Sequence, residues 1–169
     1  MPFVVEPSDF DEQLCPERDP KARAISLAAS KARAVAVHHN GAWVLGCDTL
    51  VVAPDGTILE KPVTAEDART MIKKQSGGTS VVHSAIHLIH PKGEASDIDS
   101  TAVTFATLTD RDVDWWMATN LWRDRSGSFQ IDGPGQLMIE RIEGDWTGVV
   151  GLPIFKLGKL LCEAGFLDA

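Results

Sequence analysis

The chain has 169 residues, 44% of them apolar and 24% charged, and a formal net charge of −8. This length accommodates one domain with a sizeable core, and the acidic balance argues against duplex DNA or another nucleic acid polymer, leaving room for a small phosphorylated ligand met by a local cluster of lysines and arginines. No apolar run approaches the roughly 18 residues that a membrane helix needs, the N-terminus lacks a signal peptide's basic start, and Cys15, Cys47 and Cys162, odd in number and without C-x-x-C spacing, point to a reduced, cytoplasmic setting.

In chain order, Phe3-Val4-Val5 is a short strand candidate that leads to Asp9, Asp11 and Glu12. This acidic group is either a solvated loop or a source of oxygen ligands for a hard divalent cation. A helix is expected from about Lys21 to His38, with Ala22, Ile25, Ala29, Ala32 and Ala36 as its buried face. Its many alanines imply close packing against a sheet. Lys31 lies beside that stripe, where its stem can be buried and its amine presented at a rim.

The stretch from Trp43 to Pro62 is the most informative. Val44, Leu45, Val51 and Val52 are strand formers on both sides of one charge, Asp48. Asp55-Gly56 signals a turn, and Thr57-Ile58-Leu59 reads as a return strand ending on Lys61-Pro62. A carboxylate in a buried strand requires a partner, and the hairpin can bring Lys61 back toward it. The pair either serves chemistry or only fixes the hairpin.

Thr64 to Asp67 reads as a capping box opening a helix with Ala68, Met71 and Ile72 inward, ended by the turn from Ser76 to Thr79. Ser80 to His90 alternates as a long strand. His83 and His87 share one face, where they line a partly polar surface more naturally than a metal site, because no third ligand has matching spacing. Pro91-Lys92-Gly93 is a turn, followed by an acidic surface segment and a strand from Ser100 to Thr107. Thr109 and Asp112 cap a third helix whose inner residues are Val113, Trp116 and Met117. A polar loop spans Asn120 to Arg125. Ser126 to Ile131 and Gln136 to Ile142 read as strands. Pro153 starts a last helix that buries Ile154, Leu157, Leu160, Leu161 and Ala164 and stops at Gly165. The class is α/β with a substantial sheet, in a single domain over 1–169.

No G-x-S-x-G elbow, G-x-x-x-x-G-K-[ST] loop or H-E-x-x-H pair is present. Glu12, Lys31, Asp48, Lys61 and Arg125 remain as candidates. Two acids and three cations suit metal-assisted attack of water on a polyphosphate, the acids holding the metal or deprotonating water and the cations balancing phosphoryl charge.

Eight short motifs occur in order: D-F-D-E (Asp9–Glu12), A-x-x-K-A (Ala28–Ala32), G-C-D-T-L-V (Gly46–Val51), K-P (Lys61-Pro62), S-G (Ser76-Gly77), S-T-x-V-x-F (Ser100–Phe105), S-G-S-F (Ser126–Phe129) and V-G-L-P (Val150–Pro153). In this the chain resembles the Maf family of nucleoside triphosphate pyrophosphatases, over nearly its whole length. The resemblance implies an elongated, two-lobed, mixed-sheet α/β domain with a central nucleotide cleft. It implies hydrolysis between the α- and β-phosphates with Mg or Mn, and is compatible with a homodimer. Carried over, Glu12 and Asp48 match metal ligands, Asp48 also the base, and Lys31 and Lys61 match phosphate-facing lysines. Arg125 stands where the common branch has lysine, Glu60 where glycine precedes the lysine, and Ser80 where histidine is usual. The family's serine- and arginine-rich phosphate motif has no counterpart after Met1. A further strand and helix are therefore expected before it in the parent. Without them the protein is expected to be less stable and slow, or to be an inactive nucleotide-binding protein on the same scaffold.

Asp132 stands where the common branch of the family carries a glutamine. A carboxylate only accepts hydrogen bonds, which suits the N1–H and 2-amino donors of guanine. The expectation is a guanine-type triphosphate, with or without an N7-methyl group, in preference to UTP or dTTP, with Gln130 on the same strand face. Alternatively, Asp132 merely starts the turn at Gly133-Pro134.

Overall fold

The helices begin where the sequence supplies caps. Asp19 accepts from the Ala22 amide at 2.9 Å and Pro20 follows in the first turn, opening α1 (Pro20–Ala36). Thr64 with Asp67, and Thr109 with Asp112, form reciprocal capping boxes at α2 (Ala65–Gln75) and α3 (Asp110–Thr119). Asn120, with φ of 57°, closes α3. Near the C-terminal end lie α4 (Trp146–Val150), too short to announce itself by periodicity, and α5 (Ile154–Glu163).

The structure is a computed structural model and describes residues 2–167. Its strands are β1 (Val44–Val52), β2 (Ile58–Leu59), β3 (Thr79–His90), β4 (Gly93–Phe105) and β5 (Ile139–Glu143), hydrogen-bonded in the order β2-β1-β3-β4-β5. The α/β class read from the sequence is the one found. Within it the sheet is antiparallel at every pairing among the described residues, where a mixed sheet was expected. Tight turns reverse the chain between β1 and β2 and between β3 and β4, which makes those two pairs antiparallel.

Asp48 opposes Ala85, and Leu50 opposes His83. These residues face α1, where Ala24, Ala28, Leu50 and Ala85 form a small core. The other face carries Val51, Val82, Val103 and Phe105 against α2 and α3, and Ile86 and Leu88 against Leu157, Leu160 and Leu161 of α5. Gly46 sets the distance between α1 and β1. A Cβ there would lie 2.7 Å from the Ala32 nitrogen and closer still to the Ala28 carbonyl. The helix therefore sits directly on the strand, which holds Lys31 over Asp48.

Several expected details differ. Phe3, Val4 and Val5 are exposed coil, with no strand beside them among the described residues. α1 buries Ala24, Leu27, Ala28, Ala29 and Ala32, whereas Ala22, Ile25 and Ala36 are only partly covered. Alanines surround this helix, so the pattern does not choose a face, and contact at Gly46 does. The acidic segment after Gly93 belongs to β4. Its charges are met by helices, Glu94 by Arg33 and Asp97 by Lys156. His83 and His87 are buried and bond to the cross-strand Ser100 and Ser96 at 2.8 and 2.6 Å. Residues 126–131 form a tight turn and coil because Gly127 and Ser128 have φ of 69° and 59°. Gln136 to Met138 are helical turn, so β5 starts at Ile139. Ile154 is half exposed, since it precedes the turn of α5 that reaches the sheet.

The strained turn at Gly127-Ser128 is tied to the core. Buried Gln75 donates to the Gly127 carbonyl at 2.7 Å, and Trp116 Nε1 donates to the Ser128 carbonyl at 2.9 Å. Gln75→Leu leaves that carbonyl without its donor in a dry environment. It is expected to cost about 1–3 kcal/mol, read as a lower denaturant midpoint with an unchanged m-value. An unchanged midpoint would show that the turn holds itself.

Candidate active site

Asp48 projects from the middle of β1 toward α1. Its Oδ1 accepts from Lys31 Nζ at 2.6 Å, and the same ammonium reaches Glu12 Oε1 at 2.8 Å. Glu12 comes from a short 3-10 turn capped by Asp11, whose side chain accepts from the Gln13 amide. One lysine thus bridges two carboxylates from separate parts of the chain. The bridge is graded in exposure, with side chains 5% exposed at Asp48, 21% at Lys31 and 43% at Glu12, so it runs from the interior to a rim.

That rim is the mouth of a cavity of about 460 Å³. Opposite β3, β1 has a strand partner only at Val51 and Val52 among the described residues, and the cavity opens along this edge. α1 contributes Arg23, Leu27 and Lys31, and the end of β2 contributes Glu60 and Lys61. The segment from Asp124 to Asp132 and the turn Val149–Gly151 complete it. All seven sequence-predicted residues, Glu12, Lys31, Asp48, Lys61, Arg125, Gln130 and Asp132, line this one space. Lys61 is not the partner of Asp48, however. It acts on Asp48 only through its field, while Lys31 makes the hydrogen bond. The hairpin places Lys61 past the end of the β1–β2 pairing, out of hydrogen-bonding reach.

Sequence reasoning missed Arg23, Glu60 as its partner, and Asp124. Arg23 belongs to no motif; its one signal is a position two turns before Lys31 on the same helix. The cavity wall carries four cations, Arg23, Lys31, Lys61 and Arg125, and five acids, Glu12, Asp48, Glu60, Asp124 and Asp132, one formal negative charge in balance.

Burial raises the proton affinity of Asp48, and the Lys31 hydrogen bond and charge offset this only in part. At Glu12 burial acts the same way, but Lys31, Lys61 and Arg23 together outweigh it and hold its pKa below the ordinary value. Burial disfavours the Lys31 ammonium, yet the two carboxylates more than restore it, and its pKa is raised. Asp48 is thereby the more basic of the two acids.

Among the described residues no group of three or more His, Cys, Asp or Glu side chains is placed to hold a metal by itself. The donor set still fits a hard cation. Asp48 Oδ2 is buried without a hydrogen-bond partner among the described residues, which leaves one carboxylate oxygen uncommitted. Magnesium commonly takes one or two carboxylates and completes its shell with water and substrate phosphates. Asp48 and Glu12 would supply those carboxylates.

A carboxylate–lysine–carboxylate bridge that runs from the interior to the rim thus stands at the open edge of a strand and faces further cations across the cavity. The profile of the Maf-like protein family matches residues 1–164, and the chain belongs to that family. A dTTP/UTP pyrophosphatase of Deinococcus radiodurans is 39% identical over 165 residues, covering 98% of this chain and 84% of the relative. One from Moorella thermoacetica is 40% identical over 167 residues, covering 98% and 86%, and one from Pyrococcus furiosus is 37% identical over 159 residues, covering 94% and 83%. No helix among the described residues is long and apolar enough to cross a membrane.

Proposed function

We propose that this chain hydrolyses a nucleoside triphosphate between its α- and β-phosphates, releasing a nucleoside monophosphate and pyrophosphate. The observation that carries this reading is the Glu12–Lys31–Asp48 bridge at the mouth of a cavity lined by Lys61 and Arg125; the names of the relatives agree with it. Asp48 takes the proton of the attacking water, whose oxygen bonds to the α-phosphorus. The bond from that phosphorus to the bridging oxygen breaks, and the electron pair leaves with pyrophosphate. Lys61 and Arg125 stabilise the charge gathering on the phosphoryl oxygens, and Lys31 keeps the Asp48 carboxylate oriented. Bound magnesium or manganese, held by Asp48 and Glu12, would neutralise phosphate charge that a wall with one net negative charge does not.

For the base, the relatives' names favour dTTP or UTP. A second reading, a guanine-type base such as 7-methylguanine, is favoured by Asp132, which lines the cavity beside Gln130 and offers only acceptors. The test is pyrophosphate release from dTTP, UTP, GTP and 7-methyl-GTP, with magnesium or manganese and after chelation, in the wild type and Asp132→Gln. Equal amounts of monophosphate and pyrophosphate are expected, and activity should fall on chelation. If Asp132 reads the base, Asp132→Gln moves the kcat/KM ratio of guanine to pyrimidine substrates toward pyrimidine by about tenfold, a base-edge hydrogen-bonding effect. A pyrimidine preference that the mutation leaves unchanged removes Asp132 from recognition. Binding without pyrophosphate release would return the chain to the binding-protein reading.

A further inference from the structure

The mechanism above does not use Arg23. Its side chain is only 17% exposed, lines the cavity, and is fixed at both terminal nitrogens. Nη1 donates to the Cys15 carbonyl at 3.3 Å and Nη2 to Glu60 Oε1 at 3.1 Å. Nε is buried with no hydrogen-bond partner among the described residues. A buried donor left unpaired is costly, and natural structures seldom keep one without a ligand or a mechanistic reason. Glu60, the residue that occupies Arg23, is 63% exposed at the end of β2. An ion pair with one partner in water is weakly held. A phosphoryl group offers the same planar fork more charge and more acceptor oxygens than a carboxylate does.

We propose that Arg23 is a phosphate-binding residue of this cavity, and that Glu60 holds it in the free protein as an exchangeable substitute for the substrate's phosphate. The proposal rests on the reading that the cavity takes a nucleoside triphosphate. The other cations make the need plain. Lys31 is already shared by two carboxylates, and only Lys61 and Arg125 are without an ion pair among the described residues lining the cavity. Two uncommitted cations face a ligand with negative charge on each of three phosphoryl groups. Release of Glu60 to solvent supplies a third cation and lets the Arg23 donors turn to the ligand. Glu60 then competes with substrate, so affinity in the native chain is below what the cavity could give.

The experiment is calorimetric titration of inorganic tripolyphosphate, with magnesium, into the full chain and into R23M, R23K, E60Q and R23M/E60Q, each checked by thermal melt. Losing the guanidinium is expected to weaken binding by about tenfold, and losing the competing carboxylate to tighten it by about threefold. R23K should fall between wild type and R23M, since it keeps the charge but loses the fork. In R23M/E60Q the gain from E60Q should vanish. In turnover of the preferred nucleotide, R23M should raise KM more than it lowers kcat. Wild-type affinity in R23M, or an equal gain from E60Q with and without Arg23, overturns the proposal while leaving the pyrophosphatase reading intact. Failure of the wild type to bind tripolyphosphate overturns the proposal, and the pyrophosphatase reading falls with it only if no nucleotide yields pyrophosphate. If R23M does not fold, E60Q and R23K decide, and an E60Q affinity no better than wild type overturns the proposal.

Discussion

Asp48→Asn is expected to lower turnover by about 10²–10⁴-fold, the range a positioned general base contributes. An amide cannot accept the proton of the attacking water, and it is a poorer ligand for a hard cation. Burial makes Asp48 the stronger base of the two acids on Lys31, so Glu12 is not an equivalent replacement. The fold should survive. Asparagine keeps an acceptor for Lys31, whose ammonium retains Glu12 at 2.8 Å, and the cost of burying a charge at that position is removed. The measurement is kcat from pyrophosphate release, together with a thermal melt. Retention of most activity with an unchanged melt would remove Asp48 from the chemistry. Lys31→Met is the informative contrast. It leaves the Asp48 carboxylate buried without its ion-pair partner, and breaking a buried pair from one side costs about 3–5 kcal/mol. Lys31 should therefore report in stability as well as rate, where Asp48→Asn reports in rate alone.

Gly46→Val should destabilise the protein more than any surface change. Even the first carbon of a side chain would lie 2.7 Å from the Ala32 nitrogen and 2.8 Å from its Cβ. These contacts are mainly with backbone and cannot be relieved by turning a side chain. Overpacking a well-filled core costs about 1–3 kcal/mol, and more where the backbone must move. The only relief is to lift α1 from β1, which draws Lys31 away from Asp48. Gly46→Val should lower the melting temperature by several degrees, and any folded fraction should show a reduced kcat. Wild-type stability in this variant would mean that the spacing between helix and strand is not fixed at Gly46. Gly46→Ala should show the same direction with a smaller effect, which separates the spacing argument from general misfolding.

Local chemistry in the sequence determined a large part of this molecule. The caps at Thr64 and Thr109 are short-range hydrogen bonds between residues three apart, and each marks a helix start found in the structure. Alternation from Ser80 to His90 and the Asp55-Gly56 turn were legible for the same reason, since a strand's two faces and a tight turn are written over a few adjacent residues. Asp48 and Lys31 could be chosen because each is a charge that interrupts an apolar or alanine-rich run, whereas Glu12 and Arg125 lie in polar segments where a charge is unremarkable. The tertiary structure decided what depends on chain segments far apart. It made Lys31, rather than the hairpin's Lys61, the partner of Asp48, because α1 lies flat on Gly46 whereas β2 ends before it can turn its lysine inward. It turned Ser126–Ile131 from an expected strand into a strained loop, since Gln75, Trp116 and Thr49 supply partners for its backbone and Ser126 that no neighbouring strand offers. It selected the buried side of an alanine-rich helix that is nearly symmetric in hydrophobicity. And it joined Arg23 to Glu60 across 37 residues, a contact no local pattern encodes, because an ion pair between distant side chains forms only after packing has brought their backbones together.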